Sequence, residues 1–445
     1  TTVNLPVLVF TIGLTLLTAI VFGLVPALEA SRFDLSEPLK ESAKSVIGGT
    51  RAQRMRNAFV IAQVALALLL LVGAGLLLKS LNRLQSVEPG FDPNNLLTMR
   101  VSLPMRKYDT DPKLISFFKQ AVDQIGSLPG VESVGAINTL PFDGPYSGTS
   151  LDIQGQPKRP PGHNLTTGVC VTDANYFQTM HISLKAGRLY TPQEVSEMRH
   201  VVVVNEAFAR DIFPGQNAIG QRVTINMKDN INPPSEIIGI VGNNKARGLD
   251  SEVEPMAFWP HAELVYPAMT IAIRTRAESS SIAAAARNVV HQIDPEQPIG
   301  QVATMDSLMA QSVARARFNS TLLTIFSIVA LVMAAVGIYG VMSYAVLQRT
   351  HEIGVRMALG AQRRDVLKLI LRQGVLLALT GVLVGLAGSF GITRIISTLL
   401  FDVAATDRTT FAAVAIGLFA ITFLASYLPA WRATKVNPLE ALRYE

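Results

Sequence analysis

The feature that most constrains this chain is a set of five apolar runs, each long enough to form a helix that crosses a lipid bilayer. Such a helix needs about 20 apolar residues. The clearest run extends from Ala58 to Leu78, and its central part, Ala65–Val72, carries no charged residue. We place the five predicted spans at residues 5–28, 58–81, 318–347, 374–400 and 410–431.

The composition agrees with a chain that lies partly in lipid. Hydrophobic residues make up 49% of the chain and charged residues only 16%, whereas soluble domains carry about 25% charged residues. A buried core helix is the alternative interpretation of each run, and Arg394 makes that alternative strongest for residues 374–400. Core helices rarely stay apolar for so long, so we predict an α-helical multi-pass membrane protein.

The positions of Lys and Arg predict which side of the membrane each connection occupies. A linker at 29–57, a segment at 348–373 and a tail at 432–445 together hold 15 Lys and Arg and 8 Asp and Glu, a net charge of +7. The whole chain has a net charge of +6. Because cytoplasmic connections are enriched in Lys and Arg, we predict that these three segments are cytoplasmic and that no nucleic acid is bound. Three arginines flank spans on the opposite side without reversing the asymmetry: Arg83, Arg315 and Arg317.

This topology places residues 82–317 outside the cytoplasm as one large mixed α/β domain. A strand–helix–strand pattern occurs at about 95–175 and again at about 268–317, which suggests an internal repeat. A β-rich insert at about 178–265 separates the two units. Its clearest buried strands are predicted at 201–205 and 236–241.

The two ends of the chain carry a second repeat. Leu24–Arg32 resembles Tyr427–Lys435, with Pro26 aligned to Pro429, and each segment ends an apolar span. Thr1 is not preceded by a basic region or a cleavage site that would indicate a signal peptide. We therefore expect a piece of a longer chain, in which residues 1–28 hold the last transmembrane helix of a preceding copy of the same domain.

The order of these parts, together with five segments, resembles the MacB–FtsX-type permeases of ABC transporters. The segments are Val203–Pro214, Ile219–Val223, Arg349–Ala361, Pro429–Ala433 and Asn437–Arg443. The resemblance implies an FtsX-like four-helix permease domain plus one extra N-terminal span, with a large extracytoplasmic mixed α/β domain of the MacB-like core type and porter-like units. It also implies a bacterial inner-membrane protein in which residues 82–317 are periplasmic. The second repeat is typical of duplicated orphan permeases, of which this chain would be the C-terminal half.

In these permeases, the segment that resembles residues 351–361 is the coupling helix, which docks on the nucleotide-binding subunit. The resemblance therefore implies an ATPase-coupling site at Glu352, Ile353, Gly354, Val355, Arg356, Met357, Leu359, Gly360 and Ala361. Its aliphatic residues would supply apolar contacts, Glu352 and Arg356 are spaced to pair one helical turn apart, and Gly360 would end the helix. Residues 362–373 are predicted to form a basic amphipathic helix at the lipid surface. An ordinary membrane-surface loop is the alternative.

Motifs for enzymatic chemistry are absent from the sequence. It contains neither a G-x-x-x-x-G-K-[ST] phosphate-binding loop nor a G-x-S-x-G nucleophile motif. His351 and Glu352 begin an H-E-x-x-H pattern that Val355 interrupts, and Cys170 is a single cysteine. We predict no catalytic, metal or cofactor site in this chain, with ATP and Mg bound by a partner ATPase. The other five histidines are predicted at solvated surface positions.

The leading functional hypothesis is a permease that transmits ATP-driven motion from a separate cytoplasmic ATPase to the periplasmic domain and exports a drug, peptide or lipoprotein. The expected partners are that ATPase, the lipid bilayer, a second permease copy (a homodimer or the N-terminal half of the full chain) and a periplasmic adaptor or outer-membrane tunnel. The alternative is an FtsX-like signalling scaffold that controls a periplasmic cell-wall enzyme. A third hypothesis is an ATP-independent membrane sensor.

Overall fold

The fold is taken from a computed structural model, which describes residues 5–20, 46–144, 146–157, 159–160, 163–196, 199–225, 233–276, 279–359 and 362–434. Its helices are α1 (Leu5–Ala19), α2 (Val46–Gln85), α3 (Asp111–Gly126), α4 (Tyr176–Thr179), α5 (Pro192–Ser196), α6 (Glu206–Ile212), α7 (Ser279–Ile293), α8 (Met305–Ser312), α9 (Ala314–Gln348), α10 (Thr350–Ala358), α11 (Arg363–Ile396) and α12 (Arg408–Ala433). Its strands are β1 (Leu96–Ser102), β2 (Val131–Ile137), β3 (Ser147–Ile153), β4 (Leu165–Thr172), β5 (Leu184–Gly187), β6 (Val201–Asn205), β7 (Arg222–Ile225), β8 (Ser235–Val241), β9 (Met256–Pro260), β10 (Ala268–Thr275) and β11 (Ile299–Thr304).

Four helices within the described residues are long and apolar enough to cross a membrane. They are α2, α9, α11 with the short 3-10 turn that follows it, and α12. Helix α1 has 15 residues, and residues 21–45, which include most of the remaining part of the predicted first span, lie outside the described residues. The four-span part of the fold prediction is confirmed, and the extra N-terminal span stays a prediction.

The membrane helices are longer than the apolar runs that predict them. Helix α2 begins at Val46 and α9 has 35 residues, which corresponds to about 52 Å at the usual helical rise. The separate amphipathic helix predicted at 362–373 is instead the first part of the continuous helix α11. The reason lies in side-chain burial, because Val366, Ile370 and Leu377 are all buried and share one helical face across the predicted boundary. Arg394 lies in the last turn of this helix.

The described residues belong to two compact units. One unit consists of residues 1–67, 331–385 and 417–445, and it holds the span ends that adjoin the predicted cytoplasmic segments. The other unit consists of residues 68–330 and 386–416 and holds the outer α/β domain with the span ends beside it.

The two predicted α/β units of the outer domain form a single antiparallel layer. Its strands lie in the order β11-β1-β10-β2, so strands from the two sequence units alternate. Leu97, Met99 and Val101 project from alternate positions of β1 into a core shared with β10 and helices α3 and α7. The internal repeat is therefore one interleaved structure, because each unit completes its hydrogen bonds and its core on the other.

The insert, together with β3 and β4 from the predicted first unit, forms a closed ring of strands beside this layer. The predicted boundary at about 175 was therefore wrong, because β3 and β4 complete their hydrogen bonds with strands of the insert. The pairings run β4-β3-β7-β8-β6-β9 and return to β4 through a parallel pairing that aligns Gly168 with Met256. Closure removes most open strand edges. The ring surrounds its own apolar core, which includes Phe208 and Trp259, and the Trp259 indole N–H donates to the Ser235 hydroxyl at 3.1 Å. The buried strands predicted at 201–205 and 236–241 are confirmed as β6 and β8.

One predicted surface residue of the outer domain is instead buried. His261 is 6% exposed, its ring lies edge-on to Phe118 at a centroid distance of 5.4 Å, and Nε2 lies 3.2 Å from the Tyr266 carbonyl oxygen. Burial lowers the pKa of His261. The prediction was wrong because His261 directly follows β9, where helix α3 covers the chain.

Helices α2 and α11 approach each other closely at a position where α11 has a glycine. A β-carbon added to Gly381 of α11 would lie 2.7 Å from the Cβ and Cγ1 atoms of Val64 in α2 and 3.2 Å from the Ile61 carbonyl oxygen. Small residues at such positions let helix backbones approach closely. Gly381 therefore permits a close approach of α2 and α11, whereas a β-carbon at Gly388 would make an ordinary contact with Leu69 at 3.7 Å.

We expect Gly381→Ala to destabilise the protein by about 1–3 kcal/mol, because the new methyl group would force α2 and α11 apart. The measurement is the midpoint of thermal unfolding of the purified protein in detergent. Gly391→Ala is the matched control in the same helix, because a β-carbon there meets no atom within 4 Å. Its alanine should be neutral or slightly stabilising. Equal melting temperatures for the two variants would contradict the packing assignment.

Candidate functional site

The predicted coupling segment forms a separate short helix, α10, at the end of the long helix α9. Arg349 separates the two helices with φ −105° and ψ 9°, and its carbonyl oxygen accepts a hydrogen bond from the Ile353 N–H at 2.8 Å. The helix ends at Ala358, and the N–H of the next residue, Leu359, donates a hydrogen bond to the Val355 carbonyl oxygen at 3.0 Å. The segment is therefore a helix with its own start and end, and its docking role stays a prediction.

Helix α10 presents one mixed face to solvent, which we call the exposed stripe and which consists of Glu352, Arg356 and Leu359. These residues are four and three positions apart, so they lie on one side of the helix. Arg356 and Glu352 form the predicted ion pair, with 2.6 Å between guanidinium nitrogen and carboxylate oxygen. Leu359 is 82% exposed, more than any other large hydrophobic residue among the described part of the chain.

The remaining predicted site residues do not all share this face. Ile353 is only 3% exposed, so its side chain anchors the helix within its unit and is not available for docking. Val355 and Met357 are partly buried. Gly354 lies within the helix, and Gly360 and Ala361 fall outside the described residues. The four apolar residues predicted to supply contacts occupy every second position from 353 to 359, a spacing that distributes them around a helix.

Two arginine–tyrosine contacts hold the end of α9 just before this helix. The Arg432 guanidinium of α12 donates to the Tyr339 hydroxyl at 2.8 Å. The Arg56 guanidinium of α2 lies 4.0 Å from the ring centroid of Tyr344, a cation–π geometry. The sequence prediction missed both contacts, although tyrosines are enriched at membrane–water interfaces and could have indicated them.

The start of α11 has a local cap. The Asp365 carboxylate accepts a hydrogen bond from the Gln362 N–H at 3.2 Å, and a negative charge in the first turn of a helix also interacts favourably with the helix dipole. Helix α10 is thus followed by a second capped helix that begins at Arg363. The exposed stripe lies on a short element between two long helices.

At the outer side, a polar cluster joins the end of α2 to the start of α12. Lys79 donates to the Asp407 carboxylate at 2.8 Å, and the Thr410 hydroxyl and N–H donate to the same oxygen. The hydrogen bond from Lys79 is the main reason that the pKa of Asp407 is lowered well below its usual range. Arg83 lies 3.0 Å from Asp402. Sequence reasoning missed this cluster because Lys79 and Arg83 are each more than 300 positions from the carboxylate that they contact.

A small apolar cluster joins the same span end to the outer domain, and we call it the outer junction. Its buried members are Leu81, Leu84, Leu249 and Val313. Leu81 and Leu84 belong to α2, Val313 lies directly before α9, and Leu249 belongs to the β-rich insert. The outer junction therefore connects the helices on both sides of the outer domain to the domain itself.

Two observations within the described residues concern metal binding and a nucleophilic group. No group of three or more His, Cys, Asp or Glu side chains within them could hold a metal ion. Cys170 is buried, and burial raises the pKa of its thiol to about 12, so the reactive thiolate is disfavoured.

Comparison with protein families gives two matches in the order of the fold. The MacB-like periplasmic core domain family matches residues 58–293, which is more than half of the chain. The FtsX-like permease C-terminal family matches residues 324–438. These two ranges include most of the outer domain, all or most of each of the four membrane helices, and α10, whereas β11 and α8 lie between the two ranges.

Curated relatives include proteins named macrolide export ATP-binding/permease protein MacB. The protein from Photorhabdus laumondii is 26% identical over 335 residues, which cover 71% of this chain and 49% of that protein. The protein from Azoarcus sp. is 24% identical over 427 residues, which cover 92% of this chain and 60% of that protein. The chain thus spans about half the length of the curated relatives it matches.

Among solved structures, the periplasmic region of MacB from Actinobacillus actinomycetemcomitans is 16% identical, with a TM-score of 0.35 over 51% of this chain and 95% of that one. The family matches and the four membrane helices carry the assignment. The chain belongs to the MacB-like and FtsX-like family of ABC transporter permeases, as a multi-pass inner-membrane protein with a periplasmic α/β domain.

Proposed function

We propose that this chain is the part of an ABC transporter that transmits ATP-driven motion across the membrane to its periplasmic domain. The observation that carries the proposal is the exposed stripe of α10 on the cytoplasmic side. A leucine that is 82% exposed beside a paired Glu352 and Arg356 is suited to docking on another protein, because its burial would add apolar contact without leaving a charge unpaired.

The stripe fits a protein surface better than a lipid surface. Helices that lie on membranes carry a broad apolar face opposite a basic face. The exposed side of α10 instead has one leucine and one neutralised ion pair. Ile353 is buried on an adjoining face of the helix, so a displacement of the stripe would move the whole short helix and the adjoining ends of α9 and α11.

The outer junction gives the corresponding contact on the periplasmic side. Leu81 and Leu84 of α2 and Val313 before α9 pack with Leu249, so movement of either span end would be transferred to the β-rich insert. Close-packed apolar contacts transmit displacement because they have no free volume to absorb it.

The ATPase would supply ATP and Mg binding from a separate subunit or from another part of a longer chain. The relatives are named as ATP-binding/permease proteins, which supports this requirement. A second permease copy would complete the assembly. The proposed outcome is export of a drug, peptide or lipoprotein, with a periplasmic adaptor or outer-membrane tunnel as a further partner.

We expect Leu359→Ser to weaken ATPase binding at least tenfold, because a buried leucine side chain contributes about 1.5–3 kcal/mol. The ATPase that co-purifies with the full-length protein would first be identified, and its affinity for the purified variant in nanodiscs would then be measured. The control is Leu347→Ser at the end of α9, where a leucine of 72% exposure lies outside the stripe. Unchanged affinity for Leu359→Ser, or an equal loss for both variants, would refute docking through α10.

We expect Leu249→Ala to leave ATPase binding unchanged but to reduce the response of the outer domain to ATP. The measurement is amide hydrogen exchange in residues 96–304, with and without ATP, in the reconstituted complex. Leu114→Ala is the matched control, because Leu114 is also buried but belongs to the core between α3 and the interleaved strands. Both substitutions should cost about 2–5 kcal/mol of stability. If the ATP response survives in Leu249→Ala, the outer junction does not transmit motion.

A further inference from the structure

A second feature of the cytoplasmic side is a cavity of about 300 Å³ between α2, the α9–α10 connection and α11. Its lining residues are Asn57, Arg349, Leu369, Arg372, Gln373, Leu376, Leu377 and Thr380. All of them belong to the same compact unit. The lining combines two arginines, three residues with amide or hydroxyl groups, and three leucines. It therefore offers both polar and apolar contacts.

The described residues that line this cavity carry a positive charge. They include two arginines and no acidic residue. Arg349 and Arg372 are exposed, and neither forms an ion pair within the described part of the chain. Guanidinium groups bind phosphate through two parallel hydrogen bonds, so an anionic phosphate group is the chemistry that this pair fits.

A row of polar and apolar lining residues follows one face of α11 toward the membrane span. Leu369, Arg372, Leu376 and Thr380 are spaced three or four positions apart, so they form a continuous row. The distance from Arg372 to Thr380 along the helix is about 12 Å. Leu376 is 53% exposed, which leaves an apolar surface next to the arginines open for contact with a hydrocarbon chain.

We propose that this cavity binds an anionic phospholipid of the cytoplasmic leaflet. Its phosphate group would lie between Arg349 and Arg372, and the first part of an acyl chain would follow Leu376 toward Thr380. Basic pockets between membrane helices on the cytoplasmic side recognise such headgroups. Free inorganic phosphate would contact only the arginines and would leave the three leucines of the lining without an apolar contact. A lipid would contact both the arginines and the leucines.

The position of Arg349 gives the lipid a structural consequence. This residue separates α9 from α10, and its carbonyl oxygen accepts the Ile353 N–H. A lipid phosphate on its side chain would hold the first residue of the α10 connection at the membrane surface. Lipid binding does not depend on the identity of the ATPase, so it can be tested independently of the proposed function.

The test is native mass spectrometry of the purified full-length protein titrated with phosphatidylglycerol or with phosphatidylcholine. The wild-type protein should bind phosphatidylglycerol preferentially. Arg349→Gln with Arg372→Gln should weaken phosphatidylglycerol binding about 25-fold, from roughly fivefold per arginine at an anionic surface. The affinity for phosphatidylcholine should change less than about threefold, because its binding depends chiefly on apolar contacts with the leucines of the lining.

The matched control is Arg363→Gln with Arg364→Gln, which removes the same charge from the same helix at exposed positions outside the cavity. The affinity of this control variant for phosphatidylglycerol should remain within about threefold of that of the wild-type protein, because the removed charges do not line the cavity. Equal losses in the two double variants, no preference for phosphatidylglycerol, or displacement of the lipid by inorganic phosphate would each overturn the proposal. If the glutamine variant does not fold, Arg349→Lys with Arg372→Lys replaces it. This variant should lose roughly fivefold because lysine lacks the planar fork, and unchanged affinity would also overturn the proposal.

Discussion

The constraint on which the rest of the structure depends is that no backbone polar group can remain unpaired in the hydrocarbon core of a bilayer. The membrane segments meet it as continuous helices, and several of their hydroxyl groups also bond to carbonyl oxygens of their own helix. Examples are Thr324 to Ser320, Ser327 to Leu323 and Thr380 to Leu376, at 2.6–2.7 Å. Because spans of this kind have little chemistry to offer, the specific functions of the chain fall to the connections between them. The outer domain lies between α2 and α9, and α10 lies between α9 and α11.

The ends of the membrane helices are held by different interactions on the two sides of the membrane. At the outer side, the Lys79–Asp407 ion pair is partly exposed, and such pairs contribute at most about 1 kcal/mol. Each buried aliphatic side chain of the outer junction contributes about 1.5–3 kcal/mol, so the apolar contacts provide most of the stability there and the ion pair orients the span ends. At the cytoplasmic side, α9 is held through Tyr339 and Tyr344 by arginines of two other helices. On the cytoplasmic side, Leu359 and the Glu352–Arg356 pair remain exposed.

The coupling segment illustrates how far local sequence carries a functional prediction. The one-turn spacing of Glu352 and Arg356 was sufficient to predict their ion pair, because that geometry is a property of any α-helix. The same reasoning did not identify which aliphatic residues face solvent. Ile353 and Leu359 have similar hydrophobicity, yet one is buried and the other almost fully exposed, and the difference depends on the neighbouring helices that cover one side of α10. His261 gave the opposite error for the same reason, since helix α3 covers a residue whose type is usually more exposed.

The sequence by itself determined the membrane class, the four described spans, the outer α/β domain and several of its strands, because apolar length and side-chain periodicity are local properties. It also indicated, through the family resemblance, the segment in which the short helix α10 forms. Only the tertiary structure decided that the two α/β units interleave, that the insert closes into a ring with β3 and β4, and that α11 continues unbroken from the cytoplasmic surface into the membrane. Tertiary packing also brought together Lys79 with Asp407 and Arg349 with Arg372. Contacts of this kind depend on which faces of distant segments meet, and no local pattern in the chain specifies that choice.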